Sequence, residues 1–460
     1  MTGSAAHDDD YDLVVIGGGP AGQAACLALD GRLASVAVID EQLRPGGQIL
    51  RQPPAAFSVS RWLAGSAYRG LKRQLAAFEA LKGVDWLGGC SVLEARRDGD
   101  GWRLVCTQDG RTRRIKARRL LVAAGCYDMA VPMPGWTLPG VMSAGAVQAF
   151  IKSQQLAPGR RIALAGSHPL QLLVAEQIME AGAQVAVVAF PQKLTQAMRQ
   201  VLSRPWTALM HAPRLLSVLV GVFRLARQGV AIRFDDPPVR VIGDQAVTAL
   251  ELTRAGEVAC DAAAFCFGFL PQSDLPRAMG LSVAPGRCGG WAVRHDDWMR
   301  TSQSGVYAAG ETVGVKGAEA ASAEGRIAGL AIALDEGLIS EARSRRAAGP
   351  ARRQRGRALA FADLLDAVAD PGGFHRIEQP PETIICRCED VTLAMIDAAV
   401  GVAPAANAVK LATRCGMGPC QGRNCEHVLL NRLPVGEGGS EGFSARFPAR
   451  PTLIADIIRR

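Results

Sequence analysis

The sequence lacks several things, and each absence narrows what it can do. It has no stretch of about 18 apolar residues, the length a membrane-crossing helix needs. The longest candidate, Leu215 to Phe223, is bracketed by Arg214 and Arg224 and reads as a buried or amphipathic helix. The start, Met1 to Asp10, is small and acidic, without the basic opening and apolar run of a signal peptide. Histidine is scarce: His7, His168, His211, His295, His375 and His427 stand alone, none beside an obvious Cys or Ser nucleophile. No DNA- or RNA-binding motif is present, so no nucleic-acid partner is expected. These absences predict a cytoplasmic protein, soluble by itself, with the capacity to sit peripherally at the inner membrane.

What is present indicates a multidomain globular chain. Of 460 residues, 48% are hydrophobic and 21% charged, which excludes a disordered chain. The net charge of +9 suits an acidic partner or an anionic surface. Part of it is local: Arg343, Arg345, Arg346, Arg352, Arg353, Arg355 and Arg357 share one short stretch, read as a solvated helix or linker. There are 12 cysteines. Seven are scattered, and five fall between Cys386 and Cys425. In a reducing compartment such clustering argues for metal rather than disulfides.

Apolar Tyr11 to Ile16, a helical pattern from Ala21 to Leu29 and apolar Ser35 to Ile39 form one βαβ unit. Between the first strand and the helix lies Gly17-Gly18-Gly19-Pro20-Ala21-Gly22, a G-x-G-x-x-G segment. Gly17 permits the tight turn, Gly19 lets a pyrophosphate approach the backbone, and Gly22 lets helix and sheet pack closely. The helix start, with Pro20 and Ala21, offers free N–H groups to phosphate. Asp40 ends the second strand and is placed to accept hydrogen bonds from ribose hydroxyls; Glu41 is its rival. Gly46-Gly47-Gln48 follows, where backbone can pass close to a cofactor; Gly47 and Gln48 are therefore candidate contacts.

Downstream, Thr301 to Glu311 reads TSQSGVYAAGE, and Gly317-Ala318-Glu319 opens a helical pattern. Here the sequence resembles the two-dinucleotide-binding flavoproteins. The resemblance implies FAD, with Gly310 and Glu311 at its ribitol or pyrophosphate and the helix beginning at Ala318 aimed at the flavin. Glu311 stands where that family has Asp. Ala124 and Gly125, in the AAG turn, match the family's crossover out of the flavin domain. The C-x-x-C pair of thioredoxin-reductase chemistry is missing, and Cys126 reads as a packed thiol.

A second βαβ unit runs from Arg161 through Phe190. Gly166 is its first glycine, but His168 and Gln171 replace the second and third, and its second strand ends at Ala189 and Phe190 without an acid. The fold signal survives and the nucleotide signal does not, so NAD(P) is not expected there.

Near the C-terminus come Cys386-Arg387-Cys388 and then TRCGMGPCQGRNC from Thr413 to Cys425. Four thiolates from two short loops can hold a [2Fe-2S] core, two per iron. Four thiolates also suit tetrahedral zinc, although this spacing is unlike common zinc ribbons. Five cysteines compete for four places. The module resembles the bacterioferritin-associated-ferredoxin-like [2Fe-2S] domain, a resemblance that implies Cys386, Cys388, Cys420 and Cys425 as the ligands and leaves Cys415 as an extra thiol.

The order of segments, with GGGPAG, the Pro134 to Gly145 stretch PGW-x-x-PGVMSAG, and CRCEDVT with GMGPCQG, resembles the α-type subunits of opine oxidases, hydrogen cyanide synthase and D-hydroxyproline or proline dehydrogenases. That resemblance implies the subunit of an oxidoreductase, with FAD and a [2Fe-2S] cluster, for CH–NH or CH–NH2 donors. Its implied partners are a respiratory acceptor, a β-type FAD-containing dehydrogenase subunit and, in some assemblies, a small ferredoxin-like subunit. The alternative is a stand-alone NAD(P)H-dependent flavin reductase with an iron–sulfur centre. The expected fold is α/β, with two doubly wound dinucleotide-binding domains and a small [2Fe-2S] domain. The expected divisions are 1–150 and 271–337 for the two halves of the flavin domain, 151–270 for the nucleotide-like insert, 338–382 for an Arg-rich linker, 383–430 for the cysteine module and 431–460 for an extended tail.

Overall fold

The computed structural model of the protein describes residues 9–29, 31–59, 62–63, 65, 68–286, 289–370, 379–434 and 442–458. His7, His375, Cys288, part of the Arg-rich linker and most of the glycine-rich joint at 436–442 lie outside them. The chain divides into two units: Met1–Tyr127 with Leu270–Leu359 and Ala445–Arg460, and Asp128–Phe269 with Ala360–Ser444.

The first unit is built on a seven-stranded sheet. Strands Val84–Gly88, Val36–Asp40, Asp9–Ile16, Arg111–Val122 and Val306–Ala308 run parallel, and Cys90–Asp98 and Gly101–Gln108 extend the sheet as an antiparallel meander. The central strand alternates little in polarity. Leu13, Val14 and Val15 are fully buried, as expected for a strand covered on both faces. Helices Pro20–Leu29 and Ala318–Asp335 cross very closely. A Cβ at Gly325 would come within 2.0 Å of the Ala21 carbonyl oxygen, and one at Gly329 within 2.5 Å of that of Ala25. Glycine at these two positions lets the backbones touch, and it brings the segment after strand Val306–Ala308 against the glycine-rich turn.

The Arg-rich stretch is helical, Glu341–Val368 with Pro350 inside it. Its start packs on the first unit's core through Ala348 and Ala351, and Arg352 stacks over Trp298 at 4.5 Å. The tail is not extended throughout. Ile454–Ile458 is a helical turn, and Thr112 Oγ1 donates to the Asp456 carbonyl at 2.5 Å.

The second unit carries a five-stranded parallel sheet, in the order Ile232–Phe234, Gln184–Phe190, Arg161–Ala165, Ala262–Phe265 and Val141–Ser143. The cysteine module belongs to this unit. It comprises a short hairpin, Ile384–Cys386 with Val391–Thr392, then helices Leu393–Val402, Ala406–Thr413 and Glu426–Leu430. Thr392 caps the first helix by accepting the Met395 N–H. Trp136, in the PGW segment, donates its indole N–H to the Ile384 carbonyl at 2.6 Å, and His427 Nε2 lies 2.7 Å from the Ala130 carbonyl. The PGW segment thus holds the cysteine module within the second unit.

Among the described residues, no helix is long and apolar enough to cross a membrane. Leu215 to Phe223 falls in helix Ala212–Arg227, of which only Gly221 and Leu225 are buried. Of the two readings, buried or amphipathic, it takes the amphipathic one: Leu216, Leu219 and Phe223 face outward.

Candidate functional sites

In the first unit the glycine-rich turn sits at the carboxyl end of strand Asp9–Ile16, where an open α/β sheet places its ligands. The Gly17 N–H donates to the Ile39 carbonyl at 2.8 Å, so the turn follows the neighbouring strand. Gly47 folds back onto Gly19; a Cβ on Gly47 would fall 2.8 Å from the Gly19 Cα. The two backbones therefore form a surface free of side chains beside the start of helix Pro20–Leu29.

Asp40 closes this turn from the strand end. Its Oδ2 accepts the Gly18 N–H and its Oδ1 the Gln42 N–H, both at 2.7 Å. Burial raises its pKa, opposed by those two N–H donors and by Arg51. Each carboxylate oxygen retains a lone pair for a further donor. Glu41, the rival acid, instead pairs with Arg450 at 2.5 Å.

Arg51 carries no sequence signal of its own. It donates from Nη2 to Gln48 Oε1 at 2.7 Å, yet its Nε is buried without a hydrogen-bond partner among the described residues. Burial lowers its pKa, and the Asp40 carboxylate counters that. A buried unpartnered N–H is costly, and a phosphate or hydroxyl oxygen would satisfy this one. A smooth glycine surface, a helix start, an acid and an orphaned guanidinium N–H together fit a dinucleotide cofactor.

On the far side of the same helix start stands Gly310. Its N–H donates to the buried Glu324 carboxylate at 3.0 Å, and that carboxylate also accepts Arg355 Nε at 2.9 Å. Glu311 Oε1 accepts the Gly317 N–H at 3.2 Å, directly before Ala318 opens its helix. Glu311 Oε2 lies 2.7 Å from Cys126 Sγ. Desolvation raises the Glu311 pKa, against the hydrogen bonds from Cys126 and Gly317. Ala124 and Gly125 lead into Cys126, and the Gly125 carbonyl accepts the Gln272 N–H at 2.9 Å. Cys126 is thus more than a packed thiol. Only a structure could pair it with Glu311, because 185 residues separate the two.

The altered second turn is filled by its own side chains. Gln171 Nε2 donates to the Gly166 carbonyl at 2.6 Å, and Gln192 Nε2 to that of Ser167 at 2.7 Å. His168 packs edge-on against Phe269 at 5.4 Å, and desolvation pushes its pKa down to about 4, so the ring is neutral. Where an acid would meet a ribose, Phe190 stacks on Phe234 at 4.8 Å.

In the cysteine module the sulfurs of Cys386, Cys415 and Cys425 lie within 4.8 Å of one another, all buried. Hydrogen bonds from the Cys415 and Cys425 thiols hold the Cys386 pKa far below its ordinary value, and the Gly416 N–H also points at its sulfur, at 3.4 Å. Cys388 and Cys420 hydrogen-bond each other. All five thiols therefore gather in one small region, and Cys415, the extra thiol, lies inside it. Soft donors gathered this closely, three of them buried, suit a thiophilic metal centre. Arg387, between Cys386 and Cys388, lies 5.9 Å over the Trp136 ring.

The family model of pyridine nucleotide-disulphide oxidoreductases matches residues 11–325. An opine oxidase subunit from Agrobacterium tumefaciens (strain Ach5) is 32% identical, the alignment spanning 98% of this chain and 92% of that protein. Hydrogen cyanide synthase subunit HcnB of Pseudomonas aeruginosa is 33% identical, across 95% of this chain and 96% of that protein. Among solved structures, L-proline dehydrogenase from P. horikoshii superimposes with a TM-score of 0.70, covering 99% of this chain and 81% of that one; at 20% identity the likeness is one of fold.

Proposed function

Because the chain belongs to the pyridine nucleotide-disulphide oxidoreductase family and, over nearly its whole length, to the group that includes these opine oxidase and hydrogen cyanide synthase subunits, we propose that it is the FAD- and [2Fe-2S]-containing electron-transfer subunit of a heteromeric dehydrogenase or oxidase. The donor is an amine or imino acid oxidised at a CH–NH or CH–NH2 bond, in a partner β-type subunit with its own FAD. The electrons pass to a respiratory acceptor. When bound, the flavin supplies two-electron chemistry and the cluster divides it into single-electron steps.

The protein's own part is to hold and insulate. Gly17, Gly19, Pro20, Ala21 and Gly22 would receive the pyrophosphate, with Asp40 at the adenosine ribose and Gly47, Gln48 and Arg51 alongside. Ala124, Gly125, Gly310, Glu311 and Ala318 would line the flavin end. Cys386, Cys388, Cys420 and Cys425 would ligate the irons, with glycine N–H groups tuning the sulfurs.

The observation that carries the proposal is the gathering of five thiols, with Cys386 and Cys425 packed together beside Cys415 and with Cys388 paired to Cys420, in a chain that also presents the Gly19–Gly47 cradle. A self-contained NAD(P)H reductase needs a second dinucleotide turn, and the side chains of His168 and Gln171 where that turn's glycines would be favour the partner-dependent reading. The test is co-expression with a β-type subunit from the same organism. The two should co-purify, and an amine donor should bleach the flavin of this chain only when the partner is present. A chain that stays alone, or that an amine reduces without a partner, would contradict the proposal.

A further inference from the structure

Between Glu180 and Asp235 the sequence contains no acidic residue, while Lys193, Arg199, Arg204, Arg214, Arg224 and Arg227 fall within that span. The same span folds into three successive helices, Leu194–Leu202, Pro205–Met210 and Ala212–Arg227. The first two bury none of their residues. The third is fastened to the second unit by Leu225, a member of its core, and by Arg224, whose guanidinium meets Glu176 at 3.0 Å.

The outward faces are apolar. Met198 and Leu202 stand one turn apart on the first helix, at 54% and 74% exposure. Leu216, Leu219 and Phe223 repeat at i, i+3 and i+7 on the third, each 60% exposed or more. Trp206, at the second position of the middle helix, is 80% exposed. Soluble monomers seldom leave so continuous an apolar face uncovered. On the first and third helices it recurs at helical spacing, which gives each an apolar stripe.

We propose that these three helices form a monotopic membrane-docking surface, lying in the plane of an anionic phospholipid bilayer with their apolar stripes sunk among the acyl chains. The charge pattern selects this occupant. With Arg224 engaged by Glu176, the remaining cations of a span that has no acid of its own match the lipid phosphates, and a tryptophan at a helix start suits the boundary between headgroup and hydrocarbon. A protein partner would also accept the arginines, methionines and aromatics of this face, and it is the alternative that the test below separates from a bilayer. Membrane docking and the redox role can fail separately, since vesicle binding is measured without electron transfer.

The test is flotation of the full chain with vesicles of phosphatidylcholine alone or mixed with phosphatidylglycerol. The chain should float with the mixed vesicles and at least tenfold less with phosphatidylcholine alone, and high salt should weaken the binding. The double substitution Leu219→Asp and Phe223→Asp should abolish flotation while leaving the melting temperature and bound cofactor unchanged. If that variant misfolds, Lys193→Glu with Arg199→Glu serves instead and should remove the preference for phosphatidylglycerol. A chain that never floats, or variants that float as well as the parent, would overturn the proposal. So would a wild-type chain that ignores vesicles while the apolar substitutions release its partner subunit, which would assign the face to a protein.

Discussion

Cys126 Sγ lies 2.7 Å from Glu311 Oε2, joining the crossover turn to the acid that follows strand Val306–Ala308. Desolvation raises the Glu311 pKa, so the folded protein favours the neutral carboxyl. The sign follows: its contribution to stability is whole below the ordinary glutamate pKa and is lost as the pH climbs through the raised one. Glu311→Gln removes the ionisation. Without cofactor, wild type and Glu311→Gln should melt alike at acid pH, and the variant should gain on the wild type by a few degrees, on the order of 1 kcal/mol or less, towards pH 8. Parallel melting curves across pH would refute this.

At the other end of the same cradle, Asp40 and Arg51 should count for more than Glu41. Asp40 holds the turn through two backbone N–H groups, whereas Glu41 is engaged with Arg450. Losing a hydrogen bond to a charged group costs about 1.5–3 kcal/mol, so Asp40→Ala and Arg51→Ala should each weaken FAD binding at least about tenfold. Glu41→Gln should change it by less than about threefold. Flavin fluorescence titration of the apoprotein measures all three.

The thiols make a separable prediction. Cys386→Ser, Cys388→Ser, Cys420→Ser and Cys425→Ser should each lose most of the iron and acid-labile sulfide, whereas Cys415→Ala should keep both. Iron and sulfide assays with visible absorption spectra decide it. If Cys415→Ala strips the iron while Cys420→Ser does not, Cys415 is the ligand and the assignment moves.

The filled second turn predicts indifference to nicotinamide. Added anaerobically to the chain alone, NADH or NADPH should leave the flavin oxidised, because Gln171 and Gln192 occupy the loop carbonyls and Phe190 stands where an acid would be. Rapid bleaching without a partner would restore the stand-alone reductase reading.

Much of the first unit was legible because its signals are local. The turn from Gly17 to Gly22, its flanking strands and the acid at Asp40 lie within one βαβ unit, and each glycine has a steric reason to be there. Other features depend on distance. Arg51 shows no pattern; its significance comes from the fold that buries its Nε beside Asp40. Cys126 and Glu311 meet only because strands Arg111–Val122 and Val306–Ala308 pair. The family resemblance sets Cys415 aside as an extra thiol, yet the turn after helix Ala406–Thr413 directs it inward beside Cys386. Leu215 to Phe223 was ambiguous between core and surface, since apolar spacing alone cannot say what covers a helix.

The central claim is that one polypeptide houses both a flavin and a pair of irons. The most direct measurement is the cofactor content of the full chain, purified without oxygen. It should contain about one FAD, with about two irons and two acid-labile sulfides per polypeptide, and absorb as both a flavin and a thiolate-bound iron cluster. A colourless protein, or one holding zinc in place of iron and sulfide, would contradict it.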